Sequence, residues 1–323
     1  MKILGSGHYV PKTIVSNDDL SKVVDTNDEW ISSRTGISTR HISDGESVSD
    51  IASKAAILAI EDANINVNDI DMILLATMTP DSMLPNSASI IQKNIGAINA
   101  TCFDLNAACS GFLFALNTAN AYLKSKMCKN ILVIGAETLS KIVDWSDRAS
   151  CVLFGDGAGA MIVTADDTKA YYSVSGSDGA KGHVLTGGAT LLKNMLVNTN
   201  EPIINNNDYY MHMDGQEVFK FAVTKVPECI NEVLDKSSLT ADEIDCFILH
   251  QANVRIISSV AKRLGVSPEK LPVNLNKYGN TSAASIPILF DELRKSGALD
   301  NAKKVVFSGF GGGLTWGASL MEL

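Results

Sequence analysis

The chain lacks any C-x-x-C pair, any H-E-x-x-H and any close His/Cys spacing of the kind that holds an ion, so no metal is expected. Its six cysteines, at 102, 109, 128, 151, 229 and 246, are scattered and form no disulfide framework, which points to free thiols in a reducing compartment. A basic balance is also missing. With 36 Asp and Glu against 27 Lys and Arg the formal charge is −9, so no nucleic-acid partner is expected. No apolar run approaches the ~20 residues that cross a bilayer. The opening residues, Met1-Lys2-Ile3-Leu4-Gly5-Ser6-Gly7, hold no apolar core of a secretory signal. The expectation is a cytoplasmic protein with no membrane partner. What the chain does have is material for a large core: 46% hydrophobic and 20% charged residues over 323 positions, enough for two domains or a fused pair.

The stretch around which the rest is organised is Asp104-Leu105-Asn106-Ala107-Ala108-Cys109-Ser110-Gly111-Phe112. A strand-like segment (101–105) runs into small residues, and then Phe112, Leu113, Leu116, Ala119 and Leu123 recur as one helix face. Cys109 therefore stands where a strand turns into a helix. The positive end of the helix dipole and its unpaired N–H groups should favour the thiolate there, and small neighbours would admit a substrate. The plainer reading is a small apolar residue in a tight joint.

Further along the chain, a polar segment carries Trp30 and Arg34, a pair able to stack on an aromatic ligand or simply to anchor a loop. Residues 47–63 read as an amphipathic helix, 71–77 as a buried parallel strand, 87–95 as a helix and 130–135 as a strand. Residues 165–215 are polar and rich in Gly, Asn and Ser, long enough to cap a site.

The second half repeats the first. Residues 70–75 match 244–249, and 129–135 match 303–309, both at an offset of 174, while Asp104-Leu105-Asn106 matches Asn274-Leu275-Asn276 at 170. Strands alternating with helical patterns predict a largely parallel sheet in each half. The boundary is expected between 1–165 and 166–323. Equivalent strand ends in such a pair converge on the centre, where ligands bind. His250 ends the strand that matches the one ending at Ala76, and Asn280 follows the segment that matches the one leading to Cys109. Each has a bland reading as a core histidine or a turn asparagine. Together, Cys109, His250 and Asn280 form a set able to do acyl chemistry. Gly155-x-Gly157-x-Gly159 and Gly309-x-Gly311-Gly312-Gly313 precede strands rather than helices, so they read as close backbone approach with an N–H for an oxyanion, not as phosphate loops.

Four motifs in order resemble β-ketoacyl-acyl-carrier-protein synthase III: Ala107-Ala108-Cys109-Ser110-Gly111-Phe112, His250-Gln251-Ala252-Asn253, Gly279-Asn280-Thr281-Ser282-Ala283-Ala284-Ser285 and Phe310-Gly311-Gly312-Gly313-Leu314-Thr315-Trp316-Gly317. The likeness runs from Gly5 to the C-terminus and takes in Asp28-Glu29-Trp30 and Arg34-Thr35-Gly36. It implies the thiolase fold, an α/β architecture of two duplicated halves in five layers (αβαβα), a homodimer, and initiation of type II fatty acid synthesis. The alternative is a relative in secondary metabolism with a different primer or acceptor. A non-catalytic binding protein on the same scaffold is disfavoured by the intact triad.

By that resemblance Cys109 accepts the acyl group, His250 and Asn280 hold the malonyl thioester carbonyl, and the N–H groups of Cys109 and Gly312 form an oxyanion hole. Trp30, Arg34, Arg148 and Asn253 match positions that contact coenzyme A, with Trp30 on the adenine. No cofactor is expected to be resident; acetyl-CoA or another acyl-CoA is a substrate, and malonyl-acyl carrier protein is the partner. Thiolases resemble a Cys-His set with a second Cys in the glycine-rich C-terminal motif, which is absent here. Leu84 stands where the family often has Phe lining the primer pocket across the dimer. Lys220, Arg255, Lys262 and Arg263 are expected to form a basic patch for the acidic carrier protein.

Overall fold

The computed structural model describes residues 1–188 and 209–323. In chain order the elements are β1 (Lys2–Tyr9), β2 (Thr13–Ser16), α1 (Asn17–Leu20), α2 (Asp28–Thr35), β3 (Thr39–Ile42), α3 (Val48–Ala63), β4 (Met72–Ala76), α4 (Ser87–Ile95), β5 (Thr101–Leu105), α5 (Gly111–Lys124), β6 (Asn130–Glu137), α6 (Arg148–Cys151) and β7 (Gly157–Thr164). Then come β8 (Tyr171–Ser177), β9 (Leu185–Thr186), β10 (His212–Met213), α7 (Gly215–Ser237), β11 (Cys246–Leu249), α8 (Val254–Leu264), α9 (Leu275–Tyr278), α10 (Ser285–Lys295), β12 (Lys304–Gly311) and β13 (Thr315–Glu322).

Two sheets form the frame, ordered β1-β7-β6-β4-β5 and β11-β12-β13-β8. Strand for strand the second repeats the first, with β11, β12, β13 and β8 standing for β4, β6, β7 and β1. Helices α5 and α10, starting 174 residues apart, lie between the sheets; α3 and α4 cover the outer face of the first, and α7 covers the outer face of the second with α8 packed beside it. The result is five layers, αβαβα. Three apolar cores fill the spaces: Ile51, Ala55 and Ala59 of α3 against β4, β6 and β7; Phe112, Leu116, Ile286 and Phe290 between the sheets; and Val226, Ile230 and Val233 of α7 with Ile256 and Val260 of α8 on the far side.

Local sequence explains the elements. Helix α3 starts at Ser47 in a capping box with Asp50, the Ser47 hydroxyl bonding the carboxylate at 2.8 Å and the Ser47 N–H donating to it at 2.9 Å. Strands β4 and β11 are buried along their whole length, as continuous apolar runs covered on both faces should be.

Several expectations are corrected. The sheets are mixed: β4 runs parallel to β5 and β6, and β11 to β12, but β6–β7, β7–β1, β12–β13 and β13–β8 are antiparallel. Only residues 312–314 join β12 to β13, too few for the crossover that a parallel pair needs. Asn274-Leu275-Asn276 is no strand and leads into the short helix α9, so the second sheet has no partner for β5. Its polar groups are taken elsewhere: the Asn274 N–H by Gln251 Oε1 at 3.1 Å, the Asn274 amide by Glu292 at 2.7 Å, and the Asn276 carbonyl by the Ser38 N–H at 3.0 Å. Gly157 and Gly159 lie inside β7 rather than before it, whereas Gly309 and Gly311 end β12 and the cluster does precede a strand, β13. Of the span read as a cap, 171–177 is β8 of the second sheet, while residues 185–188 with Met211 and Met213 line the central cavity as expected; residues 189–208 lie outside the described residues. The first sheet draws its strands from residues 2–164 and the second from 171–322. We propose the boundary between halves at 165/166, in the connection from β7 to β8.

Candidate active site

A cavity of about 1260 Å³ opens between the halves, and Cys109, His250 and Asn280 all line it. They are 5%, 2% and 7% exposed, which sets them at its closed end, while the exposed Arg34, Lys220 and Arg255 mark the open end.

Cys109 sits in a tight turn (108–110) between β5 and α5. The turn opens on Ala108 in the left-handed region (φ 47°), and its counterpart 174 residues on opens on Ser282 (φ 50°). The end of β12 presses against it. A Cβ on Gly311 would lie 2.6 Å from the Cys109 nitrogen and 3.1 Å from the Ala108 Cβ, so only glycine fits. The next residue, Gly312, also lines the cavity, and no acceptor among the described residues takes its N–H. The expected thiolate is corrected here. Burial pushes the Cys109 thiol up to about 12, outweighing the Ser282 hydroxyl and the residue's own N–H, with the Glu137 carboxylate adding to the rise. One helix end does not compensate for removal from water.

His250 directly follows β11, its N–H donating to the Ser308 carbonyl at 2.8 Å. Its ring meets Phe310 edge-on at 5.4 Å, and its Nδ1 lies 2.7 Å from Ser285 Oγ. That oxygen also accepts the Gln251 N–H at 3.3 Å, and its own proton has no other acceptor among the described residues, so we assign it to Nδ1 and the ring proton to Nε2. Burial pushes the imidazole down to about 3. His250 is thus a neutral donor. Asn280 is locked by a parallel bridge to Phe154, its N–H donating to Leu153 at 2.8 Å and its carbonyl accepting from Gly155 at 3.1 Å. Its Oδ1 accepts the Ser282 N–H at 2.9 Å, which leaves the Nδ2 hydrogens as the free donors. Behind it, the fully buried Arg40 donates to the Val152 carbonyl at 2.9 Å and braces the strip that holds Asn280.

At the open end Trp30, on α2, carries the Arg34 and Arg148 guanidiniums over its ring at 4.7 and 4.8 Å. Trp30, Arg34 and Asn253 line the cavity; Arg148 does not, and is held by the Asp25 carbonyl at 3.1 Å. Asn253 caps α8, with Oδ1 accepting the Arg255 N–H at 2.8 Å and Nδ2 donating to the Arg34 carbonyl at 3.0 Å. Lys220 and Arg255 line the cavity, whereas Lys262 and Arg263 lie exposed in the last turn of α8. Leu84 is brought to none of this. It is 88% exposed and is not part of the cavity of its own chain. Three residues that sequence reasoning passed over complete the closed end: Ser285, Ser282 and Glu137. A signal for the last was present, an acidic residue at the end of an apolar buried strand, as His250 follows another. Among the described residues no group of three or more His, Cys, Asp or Glu could hold a metal ion.

The duplicated five-layer frame, with its central cavity reached from the strand ends of both halves, defines a protein of the thiolase fold. Residues 103–185 match the family profile described as 3-oxoacyl-[acyl-carrier-protein] synthase III, and residues 234–323 match its C-terminal counterpart. A β-ketoacyl-[acyl-carrier-protein] synthase III of Clostridium acetobutylicum is 50% identical over 100% of this chain and 98% of that protein. The crystal structure of the 3-oxoacyl-[acyl-carrier-protein] synthase III of Aquifex aeolicus superposes with a TM-score of 0.92 at 43% identity, covering 100% of this chain and 99% of the other. The priming β-ketosynthase of the R1128 polyketide pathway does so with a TM-score of 0.90 at 33% identity, covering 99% and 96%. This chain belongs to the β-ketoacyl-acyl-carrier-protein synthase III family.

Proposed function

We propose that this chain starts type II fatty acid synthesis by condensing a short acyl-CoA, acetyl-CoA first, with malonyl-acyl carrier protein through an acyl-Cys109 intermediate. The observation that carries the reading is that one cavity joins a buried Cys109, His250 and Asn280 to an open end bearing Trp30 between two arginines. The CoA thioester enters from that end, its adenine on Trp30 and its phosphates near Arg34 and Arg148. Cys109 attacks the acyl carbonyl, whose developing oxyanion is held by the N–H groups of Cys109 and Gly312, and CoA leaves. Malonyl carrier protein then follows, docking on Lys220, Arg255 and the exposed end of α8 with Lys262 and Arg263. His250 Nε2–H and Asn280 Nδ2–H donate to the thioester oxygen, CO2 departs, and the enolate attacks acyl-Cys109 to give a 3-ketoacyl carrier protein. A neutral imidazole suits the enolate role, because it donates at neutral pH without adding a buried charge.

The reaction uses no resident cofactor or metal. We place the protein in the cytoplasm as a homodimer. None of the helices among the described residues is long and apolar enough to cross a membrane. The secondary-metabolism reading is not favoured, because identity is 50% to a synthase III and 33% to the polyketide-priming enzyme. The test is to incubate the protein with acetyl-CoA and malonyl carrier protein and weigh the products. Acetoacetyl carrier protein and a transient acetyl mass on Cys109 are expected. Neither product appearing would end the reading.

A further inference from the structure

Two of the four motifs meet through a pair of hydroxyls to which the condensation described above gives no role. Ser110 follows Cys109 in the turn that leads into α5 and is wholly buried, while Thr315 opens β13 and lines the cavity. Their oxygens stand 2.7 Å apart. Ser110 Oγ also lies 2.8 Å from the Ala107 carbonyl, and Thr315 Oγ1 lies 3.2 Å from that carbonyl and 3.0 Å from the carbonyl of Gly312. Two hydroxyl oxygens this close share one proton, which leaves the other proton for a carbonyl. Whichever hydroxyl donates, the pair ties the turn carrying Cys109 to the hairpin carrying Gly312. Gly312 is thereby held on both flanks. Its N–H belongs to the peptide plane shared with Gly311, which presses on the Cys109 nitrogen, and its carbonyl belongs to the next plane, beside Thr315 Oγ1. Glycine has no side chain to restrain its two dihedrals, so these flanking contacts decide where the N–H points.

Resting on the acylation reading, in which the Cys109 and Gly312 N–H groups hold the acyl oxyanion, we propose that Thr315 is a positioning residue that, with Ser110 as its partner, fixes those two donors relative to each other. The donors stand on separate halves of the duplicated frame, so no local backbone geometry relates them. Donors at an oxyanion stabilise it most when they are aligned before the charge develops, since no free energy is then lost in turning them. The hydroxyl pair supplies that alignment from behind, through the turn and the hairpin rather than through the substrate. His250 and Asn280 are held by other contacts, the Ser308 carbonyl and the bridge to Phe154. Release of CO2, which depends on those two side chains, is therefore independent of the pair.

The test is Thr315→Val, which keeps the branched shape and removes only the hydroxyl. Single-turnover acetylation by acetyl-CoA should slow on the order of 10- to 100-fold, as a misplacement of up to about 1 Å does. The loss should fall on the maximal rate and not on the acetyl-CoA concentration that half-saturates it. Thr315→Ser, which retains the hydroxyl, should return the rate close to that of the wild type. Alkylation of Cys109 by iodoacetamide forms no oxyanion and should be unchanged, as should CO2 release from malonyl carrier protein. Ser110→Ala should slow acetylation to a similar degree, and the double variant should be no slower than the slower single one, because the two hydroxyls act as a unit. Undiminished acetylation in Thr315→Val, a loss confined to half-saturation, no recovery in Thr315→Ser, an equal fall in alkylation or CO2 release, or multiplying effects in the double variant would overturn the proposal. If Thr315→Val lacks a native circular dichroism spectrum, Ser110→Ala decides alone, and normal acetylation there overturns it. A wild-type protein that takes no acetyl on Cys109 would instead refute the condensation reading.

Discussion

Cys109 and His250 are both driven towards neutrality by the same cause. Removal from water raises the thiol to about 12 and lowers the imidazole to about 3, so the free protein holds a neutral pair rather than a thiolate and imidazolium. At pH 8 a thiol displaced upward by this much carries about a thousandfold less thiolate than an ordinary one. Alkylation of Cys109 in the free protein should accordingly be slow at pH 8 and keep rising towards pH 12. A rate already level at pH 7 would contradict this. The neutral imidazole matters equally for the second half-reaction, where the Ser285 contact occupies Nδ1 and leaves Nε2 facing the substrate.

At the scale of elements, the junction between the end of β12 and the turn 108–110 governs the nucleophile. Gly311→Ala would force that turn to move, since its Cβ would fall 2.6 Å from the Cys109 nitrogen. Displacements of about 1 Å in reacting groups cost on the order of 100-fold. Acetylation of Gly311→Ala should fall by at least that much while circular dichroism stays native; unaltered acetylation would show that the turn does not set the geometry. Much of this level was legible beforehand. The Ser47 cap and its periodic apolar residues mark α3, the continuous apolar runs mark β4 and β11, and the 174-residue offset pairs His250 with Ala76 at the ends of those two strands. Strand direction was not legible, because strands covered on both faces have the same apolar pattern whether parallel or antiparallel. The fate of 274–276 was hidden for another reason: side chains 18 and 23 residues away in sequence take its polar groups. Glu137 and Ser282 escaped notice as a pair because no spacing joins them, although Ser282 lies within the motif 279–285 and Glu137 ends an apolar run. A contact between residues 145 apart in sequence makes them a unit.

For the whole molecule, the open end of the cavity and the edge of the first sheet carry the remaining expectations. Arg255, exposed at the start of α8 and lining the cavity, should steer an acidic carrier protein. Arg255→Glu should raise the KM for malonyl carrier protein several-fold and leave acetylation by acetyl-CoA within about twofold; unchanged carrier kinetics would remove α8 from the docking surface. Leu84 and Met83, 88% and 80% exposed, do not line their own cavity, so any role for Leu84 in primer choice needs a second copy. Sedimentation should give twice 34.5 kDa. Branched or four-carbon acyl-CoA should compete with acetyl-CoA, and Leu84→Phe should suppress them, since each buried methylene is worth ~0.8 kcal/mol. A monomer, or strict use of acetyl-CoA, would contradict this. The account as a whole rests on two half-reactions sharing one cavity but not one set of residues, and single-turnover labelling with acetyl-CoA, run beside CO2 release from malonyl carrier protein, measures both. Cys109→Ala should take no acetyl yet still release CO2, while His250→Ala and Asn280→Ala should lose CO2 release about 100- to 1,000-fold and keep measurable acetylation. Loss of acetylation with normal CO2 release in the His250 and Asn280 variants would contradict the account.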